Sequence, residues 1–206
     1  MAWSFRKSTR AAQKIPEDAE EQCHRSFARQ ALTIRNEGVP AELRVNIDQT
    51  NVRLQTPADM TYAPTGSKQV SVLGAEEKRA FTLVVGVSAS GELLPFQAIW
   101  QGKTDRSLPS SNAPGRHEAD KLGFRFEHSN TDTYWSTFPL MCKYVETILI
   151  PYYSKKKTRL GLPLSQKCVL QLDVWSVHRG AEFTEWITMR HPWIVRDFVP
   201  GGCTGL

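Results

Sequence analysis

Apolar positions recur along this chain with two periods, three to four residues and two residues, and the changes of period divide it into elements. From Glu17 to Asn36 the apolar residues Ala19, Cys23, Phe27, Ala31 and Ile34 lie three or four apart, which predicts an amphipathic helix. Pro16 suits its first turn and Gly38 its exit, and Pro40 closes the region. In Leu43-Arg44-Val45-Asn46-Ile47-Asp48 the apolar residues alternate, predicting a strand with one buried face that ends around Gln49-Thr50-Asn51. Phe81 to Val87 is rich in β-branched residues and is followed by the turn Ser88-Ala89-Ser90-Gly91-Glu92. Leu93 to Trp100 then completes an expected hairpin.

Residues 103–123 are polar, with Pro109, Pro114 and Gly115, and read as a long surface loop. Thr131 to Ile150 reads as a second helix, capped by Thr131, with Tyr134, Phe138, Met141, Val145 and Leu149 at helical spacing. Lys167 to Asp173 is a near-continuous apolar run, as in a strand buried on both faces. A helix over Gly180–Arg190 and a strand over Trp193–Val199 follow, stopped by Pro200-Gly201-Gly202. The order is strand, hairpin, helix, strand, helix, strand. An α/β fold accounts for it, with one sheet and helices on its faces.

Composition narrows the class. Hydrophobic residues make up 40% and charged residues 23% of the 206 residues, the balance of a soluble globular domain. The longest apolar run, Thr147–Tyr153, is broken by Pro151 and falls far short of the roughly 20 residues that span a bilayer, so no membrane partner is expected. The basic, acid-poor start lacks the apolar middle of a secretory signal, although a mitochondrial transit peptide shares its composition. Cys23, Cys142, Cys168 and Cys203 are too scattered for a zinc site or a disulfide framework.

Net charge is +5, which favours a polyanionic partner through counterion release. The charge is clustered. Arg6, Lys7, Arg10 and Lys14 form one group. Lys155, Lys156, Lys157 and Arg159 form another, in an expected loop between Pro151 and Pro163 that makes them candidate nucleic-acid contacts. A solvated loop with no ligand is the alternative.

The chemistry centres on Asp48 and Asp173, each of which ends an apolar run. On neighbouring strands their carboxylates would lie side by side, an arrangement stable mainly with a cation between them. Their hard oxygens suit Mg²⁺ or Mn²⁺, and such a site activates water at a phosphodiester. Two aspartates that simply finish strands are the bland alternative.

The surrounding residues carry a family resemblance. "VNIDQTNV" resembles the first-aspartate motif of pogo/Tigger/jerky-type DDE transposases, where Asn-x-Asp-Glu/Gln-Thr-Gly recurs. "VLQLDVWSVHRG" resembles their second motif, an apolar strand ending in Asp with a His five residues later, here Asp173 and His178. "RDFVPGGCTGL" is similar to the stretch that precedes a Gln-Pro-x-Asp motif bearing the third acid. The likeness runs from about Asn36 to Leu206. It departs from the family at Asn51, where glycine is common, and at Val174, where asparagine is common.

This resemblance implies an RNase H-like mixed sheet flanked by helices, in a catalytic domain over residues 41–206. Residues 1–40 would be a helical remnant of, or linker from, a helix-turn-helix DNA-binding region. It implies a nuclear endonuclease or transposase domain acting on DNA, with Asp48 and Asp173 as catalytic and metal-binding residues. His178 is an accessory residue that touches phosphate or orients water, or else packs at the start of a helix. A homodimer is compatible with it. The family's third acid would lie beyond Leu206, so weak metal binding and impaired turnover are expected of this chain. Asp197, Glu182 and Glu185 are the substitutes to test, in an unrelated RNase H-like nuclease if not in this family. The other reading is a non-catalytic DNA-binding or interaction module derived from a transposon.

Overall fold

The computed structural model describes residues 3–7, 15–53, 60–68 and 80–203. The strands are β1 (Trp3–Lys7), β2 (Arg44–Arg53), β3 (Met60–Pro64), β4 (Ala80–Ser88), β5 (Gln97–Trp100), β6 (Arg125–His128), β7 (Cys168–Leu172) and β8 (Ile194–Phe198). The helices are α1 (Ala19–Glu37), α2 (Arg116–Lys121), α3 (Phe138–Tyr144), α4 (Ile150–Arg159), α5 (Ser176–Arg179) and α6 (Ala181–Arg190). Six strands form one mixed sheet in the order β6-β5-β4-β2-β7-β8. β2 runs antiparallel to β4 and parallel to β7, and β7 is parallel to β8. The fold is therefore α/β with helices flanking a mixed sheet, consistent with the RNase H-like arrangement expected. β1 and β3 pair separately, so residues 3–7 are a strand where a helical remnant was expected. Arg10 and Lys14 of the first basic cluster lie outside the described residues.

One face of the sheet carries the main core. Val45 and Ile47 of β2, Val84 of β4 and Leu170 and Leu172 of β7 pack against Met141, Tyr144, Leu149 and Tyr153 of the α3–α4 helix and against Phe183 and Ile187 of α6. Tyr153 is fully buried and its hydroxyl donates to the Val169 carbonyl at 2.8 Å. A Cβ at Gly86 would come within 2.5 Å of the Tyr144 hydroxyl, so only glycine lets this helix approach β4 so closely.

The long helix corrects the expectation of a helix from Thr131 to Ile150 and a basic loop after it. It begins at Phe138 behind Thr137, and continues through a π turn, Val145–Leu149, to Arg159. Pro151 sits in the first turn after the π segment, where the chain accommodates the missing N–H. Thr131 instead bridges to Gly102. The expected second hairpin strand is shorter than Leu93–Trp100: only Gln97–Trp100 joins the ladder, with an isolated bridge from Leu93 to Val87. The polar 103–123 stretch includes the short helix α2.

α1 has the predicted limits, with Gly38 in a left-handed conformation at φ 58° and its N–H on the Ile34 carbonyl. Its orientation differs from the periodicity. Phe27 is 65% exposed, while Ser26 is buried and reaches the Phe198 carbonyl. Arg29 donates to Asp197 at 2.8 Å and Gln30 to the same carboxylate at 3.2 Å. Polar bonds to β8, not the apolar stripe, set how this helix docks.

Candidate functional site

β2, which carries Asp48, and β7, which Asp173 follows, are parallel neighbours in the sheet. Their parallel register pairs Arg44 with Val169, Val45 with Leu170 and Asn46 with Gln171. Asp48 and Asp173 each lie two residues beyond Asn46 and Gln171, the last pair of that register, with Asp48 still in β2 and Asp173 just past the end of β7. Alternation along β2 puts Asp48 on the face shared by Arg44 and Asn46, opposite the core residues Val45 and Ile47. Asp48 is not at a strand end, as expected, but inside β2. The antiparallel ladder with β4 holds β2 straight on to Arg53, opposite Ala80.

Asp48 is exposed, and its Oδ1 accepts the N–H of Gln49 at 2.7 Å. Asp173 follows the last residue of β7, where the chain turns into α5. Its Oδ1 accepts the Trp175 N–H at 3.4 Å and meets His178 Nδ1 at 2.6 Å. The His178 side chain is 1% exposed and stands edge-on to Trp175, with ring centroids 5.4 Å apart. Its other nitrogen, Nε2, lies 3.4 Å from the Gln49 amide nitrogen. One tautomer fits both contacts: Nδ1–H donates to Asp173 and Nε2 accepts from Gln49. The burial of His178 at the start of α5 agrees with the packing reading. It is a packed residue, and it orients Asp173.

Gln49 was missed in the sequence. It ties the strand of Asp48 to the histidine that holds Asp173. The signal was its place immediately after Asp48 in "IDQT", where it read only as part of a strand end.

The substitutes for a third acid do not join them. Asp197 pairs across the ladder with Gln171, and is buried and bonded to Arg29 and Gln30. Glu182 and Glu185 are exposed on α6. Among the described residues no group of three His, Cys, Asp or Glu side chains is placed to hold a metal. Carboxylates are nonetheless the right donors for a hard cation, and Oδ2 of Asp173 has no hydrogen-bond partner among the described residues. The fit to Mg²⁺ or Mn²⁺ is chemically sound and short of ligands.

The second basic cluster is corrected. Lys155, Lys156, Lys157 and Arg159 lie on α4, not on a loop. Lys156 is buried and ion-paired with Glu92, whose carboxyl is held below its usual range first by that lysine's hydrogen bond. Lys157 is buried too. Its ammonium donates to the Leu164 carbonyl at 2.8 Å and sits 3.6 Å from the centre of the Trp193 ring. Desolvation lowers the Lys157 pKa, and burial pushes the neighbouring Cys168 thiol up to about 12. Lys155 and Arg159 are exposed. Glu92, Leu164 and Cys168 adjoin the starting ends of β2 and β7, so this cluster lies at the end of the sheet away from Asp48 and Asp173.

Comparison with protein-family models, with curated proteins and with solved structures gives no match to this chain. Among the described residues no helix is long and apolar enough to cross a membrane.

Proposed function

We propose that this chain is a domain of a DDE-type transposase or endonuclease, of the pogo/Tigger/jerky kind, that engages DNA in the nucleus through Asp48, Asp173 and a divalent cation. The observation that carries the reading is the parallel register of β2 and β7, which runs to Asn46 and Gln171, with a motif aspartate two residues further along each chain segment. The Gln49–His178–Asp173 chain across the same two strands supports it. Asp48 and Asp173 would hold Mg²⁺ or Mn²⁺, which when bound supplies Lewis-acid stabilisation of a phosphoryl oxygen and a more acidic water. His178 keeps the Asp173 carboxylate in one orientation, and Gln49 keeps His178 in one tautomer.

Because no group of three His, Cys, Asp or Glu side chains is placed to hold a metal among the described residues, binding of Mn²⁺ is expected at millimolar levels, with cleavage by this chain undetectable. Paramagnetic broadening of amide signals in an Mn²⁺ titration tests this. Residues around Asp48 and Asp173 should broaden first, and Asp48→Asn or Asp173→Asn should weaken the effect at least tenfold. Broadening that ignores both substitutions would sink the proposal.

The same shortage of ligands favours a second reading, a non-catalytic DNA-binding module of transposon origin. A plasmid-nicking assay with Mn²⁺ separates the two. Nicking that disappears in both Asp48→Ala and Asp173→Ala means an enzyme, and DNA binding without nicking means the module.

A further inference from the structure

Arg44 opens β2 on the face that carries Asp48, and its charge is unanswered. Among the described residues its side chain makes no ion pair or hydrogen bond, and its Nε is fully buried without a partner there. Its backbone is secured, since the carbonyl accepts the Ala89 N–H at 2.8 Å. A guanidinium drawn partly out of water normally sits against a carboxylate, because an unsatisfied charged donor is costly. The nearest built ion pair on this face, Arg29 with Asp197, is already complete.

Beside Arg44 lies a cavity of about 260 Å³, lined among others by Gln30, Asn46, Ser88 and Gln171. These are neutral donors and acceptors. Asn46 donates to Gln171 at 3.2 Å and Gln30 to Asp197, so the amides are held in place. The cavity offers one cation, fixed amides and no carboxylate in its lining, the chemistry that receives a small oxyanion. Guanidinium groups match phosphate through two parallel N–H donors, here the two terminal nitrogens, because Nε has no surface open to a ligand. Arg44 and Asp48 are four residues apart on one strand face, about 13 Å at roughly 3.3 Å per residue. That spans about four nucleotides of duplex rise at about 3.4 Å per nucleotide of one strand.

We propose that this cavity is a phosphate subsite, in which Arg44 clamps a backbone phosphate of the DNA strand engaged at Asp48 and Asp173. The proposal rests on the DNA-acting reading above and adds where, and by which residue, the backbone is held away from the aspartates. The binding is sequence-independent, because phosphates carry no base information.

The test uses the whole chain, a short fluorescein-labelled duplex and anisotropy titrations across a potassium chloride series. Arg44→Gln should weaken binding roughly fivefold and reduce the slope of log affinity against log salt by about 0.9, the value of one phosphate contact. Arg44→Lys should keep the slope but lose part of the affinity, because an ammonium cannot make the paired contact. The thermal midpoint of Arg44→Gln should not fall, since the side chain has no internal hydrogen bond or ion pair to lose; a clear fall would mark a structural role and overturn the subsite. Lys155→Gln, on the other side of the sheet, should leave the slope unchanged. An equal drop there would mean diffuse charge and would also overturn it. Inorganic phosphate without DNA should shift the Arg44 Nε–H signal in nitrogen-edited NMR. A shift with phosphate but none with DNA would assign the cavity to a free anion and defeat the proposal. Normal DNA binding that ignores Arg44 defeats the subsite only, whereas wild-type protein that binds no DNA defeats the transposase reading itself.

Discussion

Lys156 and Lys157 on α4 and Arg44 on the face that carries Asp48 are cations drawn wholly or partly out of water. Lys156 and Lys157 are answered within the chain, by Glu92 in one case and by the Leu164 carbonyl and the Trp193 ring in the other. Arg44 has no such partner among the described residues. A buried charge that the fold itself satisfies is part of the scaffold. One left with a bare donor beside a polar cavity has bonding capacity for something from outside. The lysines looked like the ligand-binding group in the sequence because they are consecutive. The structure reverses the ranking.

The contrast makes the α4 side a matter of stability, and the largest expected effect lies there. Tyr153→Ala should cost about 3–5 kcal/mol, since it empties a fully buried aromatic site and removes the hydroxyl's bond to the Val169 carbonyl. Chemical denaturation measures it, and a loss below about 1 kcal/mol would mean that α4 is not anchored as described.

Lys157→Ala should come next, at about 2 kcal/mol, through the loss of a charged hydrogen bond and a desolvated cation–π contact. The desolvation that lowers the pKa of Lys157 offsets part of the gain from these contacts. DNA affinity in this variant, measured where it stays folded, should equal that of the wild type. Reduced affinity with unchanged stability would restore Lys157 as a phosphate contact and break the comparison. Replacing Lys155, Lys156 and Lys157 together would remove two buried cations and so report on folding, not on DNA.

The smallest effect is expected at Glu92. Its side chain is 46% exposed, so solvent screening limits Glu92→Gln to about 1 kcal/mol at neutral pH. The sign follows from the lowered pKa. The contribution is present above the ordinary carboxylate value near 4.3 and is lost as pH falls through the lower folded value. Wild type and Glu92→Gln should therefore converge in stability under strong acid. A difference that stays constant from neutral pH into strong acid would mean that the Lys156–Glu92 pair is not its source.

Much of the fold was legible because strands and long helices repeat their apolar residues locally. The limits of α1 and α6, the cores of β2, β4, β7 and β8, and the pairing of the Asp48 and Asp173 strands followed from such patterns and the motifs on them. The central helix was misplaced because Pro151 and three lysines in a row are local signals of a break. A π turn absorbed the proline, and Glu92 and Trp193, distant in sequence, drew the lysines inward.

For the site, the identity of both aspartates and of His178 was contained in the sequence, because each belongs to a short motif. How their strands are registered was not. The register between β2 and β7 is set by strands 125 residues apart through the Asn46–Gln171 pairing. The involvement of Gln49, the commitment of Asp197 to Arg29 and the isolation of Arg44 were decided by tertiary structure alone. Each depends on which groups fail or succeed in finding a partner once water is removed, and periodicity carries no record of that balance.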